Sequence, residues 1–220
     1  MREAVLTANL ALPAHGLVTL TWGNVSGIDR ERGLVAIKPS GVPYESMTPA
    51  DIVVVDLEGN VVEGDRRPST DTPTHLELYR ARAWIGGIVH THSPWATAWA
   101  QAERGIPLLG TTHADLSGRP IPLTRPLTEP EVEEDYEGAT GRALVEATTE
   151  HDSCALVRGH GPFAWGASPA AAVEAAVTLE QVARMALLTT LLAPDGPSLD
   201  DAVRRKHFER KHGPNAYYGQ

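Results

Sequence analysis

Residues 51–64 read DIVVVDLEGNVVEG, two β-branched runs joined across Glu58-Gly59-Asn60. Such a segment folds as a hairpin, and a hairpin contributes antiparallel neighbours to a sheet. The rest of the chain alternates short apolar runs with segments of helical character. LVTLTWGNVSGID reads as a strand with a glycine-marked turn, GLVAIKPSG as a strand ending in a turn, and CALVRGHGPFAWG as strand, turn and strand. Helices are expected over residues 2–14 and after each Ser/Thr-Pro pair: Thr72-Pro73, with Thr72 as N-cap; Ser93-Pro94, running to about Arg104; and Ser168-Pro169, running to about Leu192. Residues 129–150 read as a helix weakened by two glycines, and a last helix runs from Leu199 to about Lys211. The proline-rich stretch 105–130 reads as loop. Strands alternating with helices around a central hairpin predict an α/β fold, with a mixed or mostly antiparallel sheet flanked by helices. No repeat or low-complexity linker interrupts the 220 residues, so one domain over 1–220 is expected.

Charge and composition narrow the function. The formal net charge of −9 argues against nucleic acid, which demands a basic stripe to displace counterions. A small phosphorylated substrate stays compatible, since one pocket can be positive on an acidic protein. A single cysteine, Cys154, excludes an intramolecular disulfide and fits a reducing compartment. The opening MREAVLTANLALPAHGLV is broken by Asn9, Pro13 and His15 and does not read as a secretory signal. No stretch reads as the run of about 20 apolar residues that spans a bilayer. The expectation is a cytoplasmic protein with no membrane partner.

GGIVHTHSPWATA poses the chemical question. Residues i and i+2 of a strand share a face, so His90 and His92 project together at the end of a buried strand. That pair reads either as two hydrogen-bonded histidines at an element end or as half of a metal shell of imidazole nitrogens. His160 follows another β-rich run and is flanked by glycines. Asp71 precedes a helix start, where an aspartate is either a cap or a ligand. Three histidines and a carboxylate suit Zn²⁺, with Mn²⁺ or Fe²⁺ as alternatives. His15, His151 and His212 read as loop or solvated positions, His75 as helical packing or surface, and His113 is left open. No Gly-rich nucleotide loop of the Walker type is present, so ATP is not implied.

Taken together and in order, LALPAHGLVTLTWGNVSGIDRERGLVAIKPSG, PSTDTPTHLELYRA, GGIVHTHS, GTTHAD, GHGPFAWG and KHGPNAYYGQ resemble the class II aldolase and epimerase family. The ending AYYGQ points, within it, to members that epimerise pentulose 5-phosphates at C4. The resemblance implies a three-layer class II aldolase-like fold and a metal site of Asp71, His90, His92 and His160. It also implies a phosphate and sugar pocket of Gly23, Asn24, Lys38, Ser40, Gly41, Ser69 and Thr70. Read on their own, TWGNVSG, KPSG and PST are small-residue turns that can cradle an anion through backbone N–H groups and hydroxyls, or simply turn the chain. Aspartate at position 71 differs from the glutamate base usual in the related aldolases.

The implied reaction interconverts L-ribulose 5-phosphate and D-xylulose 5-phosphate. The C4 proton is not adjacent to the C2 carbonyl, so inversion by simple deprotonation is unfavourable. Opening and re-forming the C3–C4 bond by a retro-aldol route avoids that, with one acid/base group on each side of the aldehyde. The resemblance assigns these groups to Asp115 and Tyr218, with His207 assisting. It implies a homotetramer with sites between subunits, the tail 208–220 of one copy serving its neighbour. Departures from the pattern are Thr70 for serine, Arg158 for histidine, and Leu116-Ser117 for aromatic residues. The rival readings are a class II sugar-phosphate aldolase of the L-fuculose-1-phosphate type and a non-catalytic interaction module.

Overall fold

The computed structural model describes residues 1–218. The elements, in chain order, are α1 (Arg2–Ala14), β1 (Asn24–Asp29), β2 (Leu34–Ile37), β3 (Val53–Asp56), β4 (Val61–Glu63), α2 (Thr72–Ala81) and β5 (Gly87–His90). They continue with α3 (Pro94–Gln101), α4 (Thr111–Leu116), α5 (Glu129–Ala147), β6 (Cys154–Val157), β7 (Gly161–Gly166), α6 (Pro169–Leu192) and α7 (Asp201–His212). The strands form one seven-stranded sheet in the order β4-β3-β2-β1-β5-β7-β6. Every neighbouring pair of these strands is antiparallel. The hairpin at 51–64 supplies the β3–β4 edge, and β6–β7 forms a second hairpin at the other edge.

Both faces of the sheet are covered, which is why inner strands such as β2 (LVAI) and β3 (VVVD) are apolar runs rather than alternating ones, although the central β1 (NVSGID) is not. Strand alternation still sorts the residues. Val25, Ala36, Val54, Val89, Leu156 and Ala164 pack with α1, α3 and α6. Val35, Val53, Val55, Ile88, Val157, Phe163 and Trp165 pack with α2 and α5. His90 lies two residues after Ile88 and so ends β5 on the α2/α5 face. This α/β/α layering matches the expected class.

Several boundaries move. The strand expected from Leu17 begins only at Asn24. Residues 17–23 curl instead, with Leu20 and Gly23 at positive φ (53° and 78°). A Cβ on Gly23 would lie 2.9 Å from the carbonyl oxygen of His90, so only glycine lets this turn lie against the end of β5. Thr72 is the first helical residue rather than the N-cap, and Asp71 takes the cap position without capping through its side chain. α3 stops at Gln101, short of Arg104. The proline-rich stretch contains α4, and α5 kinks at Asp135 (φ −157°, ψ 55°). α6 corrects the expectation about apolar runs, since its 24 residues have the length and composition of a membrane span. Much of that apolarity comes from small residues such as Ala172, Ala176 and Ala183, which pack as a core helix beneath the sheet.

Candidate metal centre

β5 sits between β1 and β7, and the ends of these three strands build the site. In register, Asn24 and Phe163 flank His90. The regular strand stops at His90, yet the next two residues bring the His92 ring 5.0 Å from that of His90. His160 lies in the β6–β7 turn, where Gly159 takes φ 69° and the His160 N–H donates to the carbonyl of Val157 at 3.0 Å. That turn folds the third ring onto the other two, 4.7 Å from His90 and 4.9 Å from His92.

Their Nε2 atoms converge. His92 Nε2 is 3.1 Å from His90 Nε2 and 3.0 Å from His160 Nε2. His90 is sealed by Phe163, stacked at 4.2 Å, and its Nδ1 is 3.0 Å from the Pro162 carbonyl. With Nδ1–H donated there, Nε2 carries a bare lone pair. Burial, with the neighbouring imidazoles adding to it, drops the His90 pKa to about 3 despite the opposing Asp71 carboxylate. Burial and His92 likewise lower His160. Three ring nitrogens aimed at one point suit a shared cation better than they suit one another. Nitrogens in a tetrahedral shell with metal–nitrogen bonds of about 2.0–2.1 Å stand about 3.3 Å apart, close to the spacing here. The donor set fits a divalent cation. Among the described residues these three form a group whose ligand atoms lie within 4.8 Å of one another, and Asp71 is outside it.

Asp71 is close by and committed to the same space. Its Oδ2 accepts from Asn24 Nδ2 at 2.7 Å and, more loosely, from Ser69 Oγ at 3.4 Å. Burial alone would raise its carboxyl. The imidazoles of His90 and His75 and the Asn24 bond outweigh that and hold it below the usual carboxylate range.

All seven residues expected to bind substrate line one cavity of about 380 Å³ with Asp71 and the three histidines. Lys38 is 2% exposed. Its ammonium lies 4.9 Å from the Tyr44 ring centre and donates to the carbonyls of Thr21 and Pro39 at 3.2 and 3.3 Å. Burial lowers its pKa. Asn24 Oδ1 is buried without a hydrogen-bond partner among the described residues, an acceptor left for a ligand. Five further residues line it: Thr21, Trp22 and Pro39, which belong to the turns already singled out, and Tyr136 and Glu137, which were not anticipated and which the kinked start of α5 brings in. Tyr136 Oη is 3.4 Å from His160 Nδ1. No spacing in the sequence announces this contact.

Asp115, His207 and Tyr218 also come together, but elsewhere. Arg210 on α7 grips the Asp115 carboxylate at 2.9 and 2.7 Å, and His207 Nδ1 lies 3.2 Å from it. Burial pushes the Asp115 carboxyl up, while Arg210 and His207 more than reverse this. The Arg210 guanidinium sits 4.0 Å from the centre of the Tyr218 ring, and the Tyr218 N–H donates to the Arg210 carbonyl at 3.1 Å. None of these residues lines the histidine cavity. Asp115 faces a separate cavity of about 470 Å³. Within one copy, the histidine cluster and the Asp115 cluster are therefore apart. The last two residues of the AYYGQ ending, 219 and 220, lie outside the described residues. His212, expected to be solvated, is exposed but bonds through Nε2 to the Asp115 carbonyl at 2.7 Å. Arg158, one of the departures, pairs with Glu103 at the surface.

Residues 3–187 match the class II aldolase and adducin N-terminal domain family. Among solved structures, an L-fuculose 1-phosphate aldolase is 27% identical over 95% of this chain and 94% of its own, with a TM-score of 0.82. The L-fuculose-1-phosphate aldolase of Thermus thermophilus is 30% identical over 89% of this chain and 100% of its own, with a TM-score of 0.69. YgbL of Escherichia coli, at 24% identity, shares the fold over 94% of this chain and 97% of its own, with a TM-score of 0.74.

Proposed function

The chain belongs to the class II aldolase and adducin N-terminal domain family, and from that premise we propose that it is a metal-dependent 4-epimerase interconverting L-ribulose 5-phosphate and D-xylulose 5-phosphate. The observation that carries the reading is the setting of Asp71. Its carboxylate turns away from the helix it precedes and toward Asn24 and the imidazoles. Held beside the three imidazoles by Asn24, this aspartate is suited to act as a ligand rather than as a free base. Proton transfer then falls to groups elsewhere in the chain.

His90, His92 and His160, with Asp71, would hold the cation, Zn²⁺ or Mn²⁺ by donor type. When bound, it supplies Lewis-acid stabilisation for the negative charge that develops as C3–C4 opens. Lys38 gives the cavity local positive character for a phosphorylated ketopentose. Gly23, Asn24, Ser40, Gly41, Ser69 and Thr70 offer the amides and hydroxyls that orient it. One of Asp115 and Tyr218 takes the proton from the C4 hydroxyl. The C3–C4 pair then collapses toward C2, giving a three-carbon enediolate and glycolaldehyde phosphate. The cradle retains the aldehyde while it turns. The enediolate re-adds to its other face, and the second group protonates the new alkoxide. His207 and Arg210 keep Asp115 in place.

Since Asp115 and Tyr218 stand outside the histidine cavity, this reading requires another copy to bring its α4–α7 face to the centre, as in a homotetramer. The apolar end of α6, where Leu191 and Leu192 are 70% and 88% exposed, favours association. The similarity to L-fuculose 1-phosphate aldolases favours a second reading, a lyase on the same scaffold. Product analysis with L-ribulose 5-phosphate separates the two. The epimerase gives D-xylulose 5-phosphate, lost on chelation, without free glycolaldehyde phosphate. Free glycolaldehyde phosphate with no D-xylulose 5-phosphate would establish the lyase instead.

A further inference from the structure

We propose that Glu180, in the middle of α6, is a positioning residue that holds His92 in the cation centre through the N-terminus of α3. The inference rests on the reading of the three histidines as a cation site.

The first turn of a helix has N–H groups without intrahelical partners, usually met by the side chain of the N-cap residue. Ser93 stands at that position before α3 but makes no capping bond, and its hydroxyl instead accepts from Thr91 Oγ1 at 3.2 Å. Pro94 has no N–H. The next two are taken by a residue more than eighty positions away. Glu180 Oε1 accepts from the Trp95 N–H at 2.8 Å and Oε2 from the Ala96 N–H at 2.9 Å. Glu180 is 5% exposed and, among the described residues, makes no ion pair. Its charge is balanced by those amides and by the positive end of the α3 dipole. A second tie, from Trp99 Nε1 to the Ala183 carbonyl at 3.0 Å, fixes α3 along α6.

The three histidines do not depend equally on such support. His90 is anchored by the Pro162 carbonyl, and His160 Nδ1 faces Tyr136 Oη. The His92 ring has no hydrogen bond among the described residues except to the other two imidazoles. It also lies beyond the last residue of β5. Its position is therefore set by the backbone of Thr91–Ser93, which crosses from the α2/α5 face to the start of α3. Glu180 grips the first turn of α3 at Trp95 and Ala96, just downstream of that crossing. Without its carboxylate the first turn of α3 loses both acceptors, and the segment carrying His92 loses its downstream anchor.

The test is titration of metal-free protein with Zn²⁺ by calorimetry, for wild type, Glu180→Gln and, as a control that removes an exposed carboxylate from the same helix, Glu174→Gln. The glutamine keeps the shape of Glu180 but exchanges one acceptor for a donor. Its Zn²⁺ affinity is expected to fall about tenfold or more, with native circular dichroism, while the control stays within twofold of wild type. A Ser93→Asp change on the Glu180→Gln background, supplying a local cap, should recover part of the loss. Should Glu180→Gln not fold, Glu180→Asp, one methylene short of the amides, carries the same comparison. A merely structural role would lower the melting temperature and leave affinity within twofold of wild type, and that result overturns the proposal. A wild-type protein that binds no Zn²⁺ overturns the cation reading itself, and the proposal with it.

Discussion

His92 is the residue on which the centre turns, because its Nε2 touches both of the other imidazole nitrogens. Replacing it with asparagine is expected to remove the bound cation and lower turnover more than about 100-fold, with native circular dichroism. Metal analysis beside an activity assay checks this, and activity surviving in a metal-free variant would refute the site. Two histidines outside the centre set a pH dependence. His75 is fully buried, its Nδ1 2.7 Å from Ser26 Oγ, and burial drops its pKa from 6.5 to about 4. His113 is lowered to about 4 by the same cause. Both are neutral when folded and free to charge when unfolded. The unfolded chain therefore binds more protons between pH 6.5 and about 4. Stability should fall as pH drops through that window, by about 1 kcal/mol per pH unit for each, and level off below it. Urea midpoints from pH 7 to pH 4 would show it. Legibility at this scale was uneven. His90, His92 and His160 could be picked out because each ends or follows a β-rich run. Asp71 was ambiguous, since an aspartate before a helix is commonly a cap, and only its bond to Asn24 removes that reading. Tyr136, Glu180 and Arg210 carried no signal, because their partners lie 24 to 95 positions away.

Elements with strong punctuation were readable. β3 and β4 follow from their glycine turn, and α6 from Ser168, whose hydroxyl accepts the Ala171 N–H at 3.2 Å. α4 was not, because six residues without a side-chain cap leave no mark in a proline-rich stretch. It is held from outside, by α7. That last helix buries no residue completely and attaches through Arg210 to Asp115, Arg204 to the Gly118 carbonyl at 2.9 Å, and Phe208 against Gly118. Changing Arg210 to methionine is expected to raise amide exchange across α7 while leaving the sheet protected, which exchange mass spectrometry resolves by segment. Tyr218→Phe leaves that attachment in place. If the hydroxyl moves a proton at C4, turnover should fall by roughly 100-fold to 10,000-fold at unchanged cation content. Unchanged turnover would remove the terminal tyrosine from the mechanism.

At the scale of the whole molecule, the layering was readable from the residues themselves, whereas a homotetramer was expected only from the family resemblance. Strand runs and proline-started helices report which segments pack, but no pattern in the order of residues tells whether a site is shared between copies. The division has a direct test. His92→Asn lacks one half of the proposed site and Tyr218→Phe the other. If the halves come from different subunits, unfolding and refolding the two variants together should restore activity in roughly a quarter of the sites, though neither is active alone. No recovery in mixed oligomers would mean that one chain supplies everything. The hairpin turn that carries His160 has a consequence of its own. Its tip is exposed and is tied down by two bonds, from the Arg158 N–H to Thr124 Oγ1 at 3.1 Å and from the Gly159 N–H to the Ala100 carbonyl at 2.9 Å. One extra amino acid between Val157 and His160 would cost those two bonds and swing the third imidazole out of reach while the strands on either side keep their pairing. The scaffold could thus outlive its chemistry after a single-codon insertion, becoming an inert body of unchanged shape.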